Sequence, residues 1–140
     1  MKLRLIGGII LLLIVSMAAC QSDADQDYKR YFTGGANIYK QKCQNCHGNN
    51  GEGLTSLIPP LTDTAYLKKN KNHLACIVRN GITEQVLTIN SKAYEGSMPA
   101  NTDLAPIEIA KVLTFVTNSF GNKHGTVTVD MVEKDLTSCP

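Results

Sequence analysis

From residue 35 onward, the apolar positions of this chain recur mostly at intervals of three and four, the period of helices with one buried face. Ala36, Tyr39 and Cys43 mark such a face over residues 35–44. Leu74, Ile77 and Val78 mark another over 71–80, and Gly81 is well placed as its C-terminal stop. The clearest pattern starts at Pro106, which suits a first helical position, with Glu108 at the third. Ile109, Val112, Leu113 and Val116 then form an apolar stripe that stops by residues 118–121. Ala105, at the cap position, is worse than Ser or Thr by about 1 kcal/mol. Asp63 is placed to cap a short helix running through Lys69.

Other stretches break this period. Residues 48–53, rich in Gly and Asn, read as a loop, and Pro59-Pro60 excludes regular helix. Val86, Thr88 and Asn90 alternate with Leu87 and Ile89, which predicts a small hairpin turning at Asn90-Ser91. Thr126 to Val129 alternates like a short strand, and Asp130 to Leu136 reads as a last helical turn. There is no internal repeat.

The N-terminus has its own pattern. Lys2 and Arg4 precede an apolar run from Leu5 to Val15, short for a membrane span, which ends in Ser16-Met17-Ala18-Ala19-Cys20. Met17 is a poor fit to ordinary signal cleavage before Cys20. The segment resembles a bacterial lipoprotein signal, in which such a Cys becomes the lipid-bearing N-terminus; an ordinary secretory signal cut nearby is the alternative. The resemblance implies removal of residues 1–19 and a protein held on a bacterial membrane, on the periplasmic side, by more than one acyl chain. Residues 20–32, polar and carrying Asp23, Asp25 and Asp27, read as a flexible tether. Residues 33–140 then form one domain, with 122–140 as its tail.

Charge narrows the partners. The chain carries a formal +2, and removing Lys2 and Arg4 brings the side chains to neutrality, which gives no reason to expect nucleic acid.

The chemistry centres on Cys43-Gln44-Asn45-Cys46-His47. Two thiols at this spacing reach the two vinyl groups of one haem, and the adjoining imidazole falls beneath the iron. A thioredoxin-type pair would need a strand-helix context, and a zinc site would need four ligands with a second paired spacing. Cys76, Cys139, His73 and His124 show no such spacing. Of the five cysteines, lipid takes Cys20 and haem takes Cys43 and Cys46, which leaves Cys76 and Cys139. In an exported protein these could form a disulfide worth up to roughly 4 kcal/mol; two free buried thiols are the alternative.

With these residues in view, positions 33–121 resemble a class I cytochrome c. Gly35, Tyr39, Cys43, Cys46 and His47 match the family's N-terminal helix, and Val112 and Phe115 match the facing positions of its C-terminal helix. Pro59-Pro60-Leu61 matches a Pro-x-Leu whose proline carbonyl accepts a hydrogen bond from the haem-binding His. Met98-Pro99 matches the loop that supplies the second axial ligand, ahead of His73 and His124 as rivals. The resemblance implies an all-α cytochrome c fold of three to five helices around one covalent haem c. His/Met ligation fills both iron faces, which suits a carrier rather than a catalyst. Three departures stand out: Ala105 replaces a Ser or Thr cap, the Gly81–Met98 interval is not diagnostic, and a dense ring of lysines is missing. Lys40, Lys42, Lys68, Lys69, Lys71 and Arg79 read as solvated surface before they read as a docking face.

The expectation is therefore a monomeric electron carrier and not an enzyme. It would pass single electrons from membrane-associated respiratory donors to a terminal oxidase or reductase, with redox proteins as partners. A haem c subunit of a larger oxidoreductase is the first alternative, and a ligand-binding or peroxidatic haem protein the second.

Overall fold

The computed structural model describes residues 6, 8, 23–83 and 86–139. The signal segment (apart from Ile6 and Gly8) and Cys20, with its expected lipid, lie outside the described residues. From Asp23 on, the order is α1 (Asp23–Lys42), α2 (Gln44–His47), α3 (Thr64–Lys69), α4 (Leu74–Asn80), β1 (Leu87–Ile89), β2 (Lys92–Tyr94), α5 (Pro106–Val116) and α6 (Val129–Leu136). The helix-rich expectation holds, with six helices among the described residues from Asp23 on where three to five are expected; α2 is a single turn that starts where the helix expected over 35–44 ends.

α1 corrects the tether. Residues 23–32 are helical, so the polar stretch is an exposed helix and not a flexible linker. Local electrostatics explain this: Asp23 and Asp25 sit at the positive end of the helix dipole. Lys29 pairs with Asp25 at 2.7 Å one turn away, and Arg30 approaches Asp27 at 3.7 Å. Tyr28 stacks on Phe32 at 5.7 Å, and Phe32 lies 5.2 Å from Phe115 of α5, which ties the extension to the core.

α1 and α5 form the principal packing. Gly35 is buried where they cross, and a Cβ there would stand 2.6 Å from the Lys111 carbonyl carbon and 2.8 Å from Phe115 Cβ. The helices can approach this closely because no side chain intervenes. Phe115 packs on Tyr39 at 5.2 Å and edge-on against Phe120 at 5.7 Å. The predicted stripe of Ile109, Val112, Leu113 and Val116 is buried. The missing cap is half replaced, since the Glu108 carboxylate accepts the Ala105 N–H at 2.8 Å.

The other elements follow from local signals. Asp63 accepts the Tyr66 N–H at 2.8 Å, which starts α3. The hairpin pairs Leu87 with Tyr94 and Ile89 with Lys92, and Asn90 and Ser91 both take positive φ, as a tight type I′ turn requires. The strand expected at Thr126–Val129 does not form. There the Thr114 hydroxyl accepts the Val127 N–H at 3.0 Å and donates to its carbonyl at 3.2 Å, so a side chain of α5 satisfies the backbone in place of a partner strand. α6 opens with Thr128 as cap and buries Val132, and a Cys76–Cys139 disulfide with Cα atoms 5.5 Å apart joins the end of the tail to α4. Among the described residues, no helix is long and apolar enough to cross a membrane.

Candidate haem site

α2 is one turn of helix, and that turn places the three residues of the motif at a single edge. His47 N–H donates to the Cys43 carbonyl at 2.9 Å, and Gly48, at φ +81, ends the turn. Cys43 is half-buried and Cys46 exposed, and both thiols are free. Tyr39 reaches over from α1 and donates its hydroxyl to the Gly48 carbonyl at 2.7 Å.

The turn borders an apolar cleft with two compartments. One, of ≈ 790 Å³ including its open mouth, is lined by Cys43, His47, Pro59, Met98 and core residues such as Leu67, Leu74 and Val112. The other, of ≈ 460 Å³, is lined by Cys46, His47, Pro59, Met98 and the exposed Leu57. His47, Pro59, Ile82, Leu87 and Met98 border both. The cleft thus brings Cys43, Cys46, His47, Pro59 and Met98 together; His73 and His124 line neither compartment.

Pro59 reaches His47 because the chain folds back on itself. Gly53 N–H donates to the His47 carbonyl at 2.9 Å, Leu61 N–H to the Gly51 carbonyl at 2.7 Å, and Leu54 bridges to Ile58. Burial lowers the His47 pKa, and the Pro59 carbonyl opposes that shift. The contact falls short of a closed hydrogen bond, and Nδ1 is buried without a partner. Cys43 is pushed up to about 11, by burial first and by neighbouring Cys46 second, which keeps the thiol neutral.

Met98 sits on a strap stitched down at both ends. Glu95 and Gly96 N–H groups donate to the Ser56 and Leu57 carbonyls at 3.0 Å each. Met98 exchanges two backbone hydrogen bonds with Ile82, and the Asn101 N–H reaches the Val78 carbonyl at 3.2 Å. Sequence reasoning missed a group that ties together two segments of the cleft wall, those of Leu61 and Val116. Asn122 is buried, donates to the carbonyls of Leu61 at 2.8 Å and Val116 at 3.0 Å, and accepts from the Thr64 hydroxyl at 2.7 Å. Following Gly121, it looks like any turn residue, and only its burial separates it from one.

The donor set fits an iron carried in a macrocycle better than a bare ion. Among the described residues, no three His, Cys, Asp or Glu side chains converge, so a four-ligand zinc site does not form. A haem would need axial donors, an apolar slot and two thiols at its edge, and the lining of this cleft offers His47, Met98, apolar walls, Cys43 and Cys46.

Fold and site together define a c-type cytochrome domain. A family profile described as "Cytochrome C oxidase, cbb3-type, subunit III" matches residues 32–116, and the chain belongs to that family. The match runs from the middle of α1 to the end of α5 and encloses the whole cleft. The chain is 34% identical over 104 residues to the cytochrome c subunit of alcohol dehydrogenase (quinone) from Gluconacetobacter polyoxogenes, which covers 71% of this chain and 22% of that protein. It is 29% identical over 92 residues to cytochrome c-552 from Thermus thermophilus, which covers 63% of this chain and 69% of that one. The chain therefore spans about a fifth of the alcohol dehydrogenase subunits it matches. Family membership carries a covalently bound haem c as the cofactor and electron transfer as the domain's chemistry.

Proposed function

We propose that this chain is a single-haem cytochrome c of class I type that carries electrons one at a time and is not itself an enzyme. Cys43 and Cys46 would hold the haem through thioether bonds, and His47 and Met98 would ligate the iron. Pro59 would orient the His47 ring through its carbonyl, by accepting a hydrogen bond from Nδ1–H. When bound, the haem supplies a one-electron redox centre. The chain's own residues exclude water with an apolar wall, hold one imidazole against a backbone carbonyl and keep the methionine strap in place. The observation that carries this reading is that His47 and Met98 border both compartments of one cleft whose edge bears the two thiols. The full-length haem protein and a Met98→Ala variant test it through absorption spectra, potentiometry and carbon monoxide binding to the ferrous form. Met98→Ala should open a site for carbon monoxide and lower the potential by about 0.1 V, a fraction of the range axial ligands span. Unchanged spectra and potential would remove Met98 from the ligand set.

Export and a lipid on Cys20, on the periplasmic side of a bacterial membrane, complete the proposal, with redox proteins as donor and acceptor. With α1 beginning at Asp23, such an anchor would join a helix almost directly. The similarity to cytochrome c subunits of alcohol dehydrogenase (quinone) favours a second reading, a haem subunit of a larger oxidoreductase. Solubilisation in mild detergent separates the two: a free carrier runs as a monomer, whereas a subunit brings its partners with it.

A further inference from the structure

A second cleft, solvent-open and of ≈ 1290 Å³, lies behind the haem cleft, between α3, α5 and the tail. Three lysines from three different segments line it: Lys68 on α3, Lys71 in the turn before α4 and Lys123 after α5. None of them forms an ion pair among the described residues. Among the described residues, Asp135 is the one carboxylate lining the cleft, against three lysines. His124 also lines the cleft, and its Nε2 is buried without a hydrogen-bond partner. The floor is apolar: Leu74, Leu113 and the exposed Met131. Leu74 and Leu113 are walls of the haem cleft as well, so the two clefts share these side chains.

Unpaired ammonium groups above an apolar floor favour one kind of ligand. Charges of one sign around a low-dielectric recess focus their field, and lysine binds phosphate as a point charge. A fully hydrophilic anion would leave the floor wet, and a neutral apolar molecule would leave the lysines unused.

We propose that this cleft binds an amphiphilic anion, a phosphate or carboxylate on a short apolar stem. The head rests between Lys68, Lys71 and Lys123, and the stem lies over Leu113 and Met131. A lipid headgroup with the start of its chain and a soluble alkyl phosphate share this chemistry. With a haem held in the adjoining cleft, whose wall also includes Leu74 and Leu113, the bound negative charge would favour the oxidised state and lower the potential. That last consequence rests on the haem assignment; the binding itself does not.

The test uses the full haem-loaded chain with Cys20→Ser, so that no anchor contributes. Calorimetric titration with hexyl phosphate should show one saturable site, weakened about tenfold or more in a Lys68→Ala/Lys123→Ala variant. Inorganic phosphate should bind at least about tenfold more weakly than hexyl phosphate. Lysine-dependent co-sedimentation with vesicles of anionic but not zwitterionic phospholipid identifies a lipid as the source; hexyl phosphate binding without it identifies a soluble ligand. Absence of saturable binding, equal affinity for the two phosphates, or equal binding by the variant overturns the site. Because calorimetry reads occupancy without reference to the iron, failure of the carrier assignment would leave this result intact.

Discussion

Ile82 and Met98 face each other across a two-bond antiparallel bridge, N–H to O 2.9 Å in one direction and 2.8 Å in the other. That bridge sets the depth at which the methionine strap meets the cleft. Gly81 makes room for it, at φ +73, where a Cβ would stand 2.8 Å from both the Pro99 carbonyl carbon and the Ala100 nitrogen. Backbone atoms cannot swing aside as a flexible side chain can.

Gly81→Ala should therefore cost roughly 1–3 kcal/mol and loosen the strap. Thermal melting of the haem protein should fall, and carbon monoxide should bind the ferrous form faster than in wild type. A variant with wild-type melting and ligand exclusion would show that the strap is held from elsewhere.

At the α1–α5 crossing, Gly35→Ala should destabilise by about 1–3 kcal/mol through overpacking against Lys111 and Phe115. The absorption spectrum should stay as it is, since Gly35 does not line the haem cleft. Equilibrium denaturation with spectra taken at zero denaturant checks both halves.

Cys139→Ser releases a loop with a sequence separation of 63 and frees the tail that carries Val132. Stability should drop by about 2–4 kcal/mol. Neither Cys139 nor any residue of α6 lines the haem cleft, so the potential should hold. Urea midpoints of wild type with and without reductant should reproduce the difference; a midpoint insensitive to reductant would remove the disulfide from the stability of the fold.

Tyr39 is pushed up to about 12, by burial first and then by the neighbouring Cys43 and Glu52. Its hydroxyl must stay protonated to donate to the Gly48 carbonyl. The sign follows from the raised value: this contribution is complete below pH 10, where the unfolded phenol is neutral, and disappears between pH 10 and about 12 as the unfolded chain ionises first. Burial raises Tyr66 in the same direction. Denaturation midpoints across this range should fall more steeply for wild type than for Tyr39→Phe, and parallel curves would contradict the assignment.

Much of the fold was legible because the signals were local. Asp63 as cap, Pro106 with the Ile109–Val116 stripe, Gly81 as a stop and the Asn90-Ser91 turn each depend on residues within a turn or two. Two local readings failed for opposite reasons. Residues 23–32 were too polar for a periodic face, yet neighbouring charges and the contact of Phe32 with Phe115 make them helix. Residues 126–129 had strand alternation, but the nearest hydrogen-bonding partner is the Thr114 side chain and not another strand.

By itself, the sequence determined the attachment chemistry: two thiols and an imidazole within one helical turn need no distant residue to be recognised. Met98 could be named from its loop, its neighbouring proline and its likeness to a family, but not located. Tertiary structure alone decided that Met98 and His47 border the same cleft, that Asn122 ties Leu61 to Val116 in its wall, and that Lys68, Lys71 and Lys123 gather at a second one. Those relationships join residues tens of positions apart, and only packing of the elements between them brings such groups to one cleft.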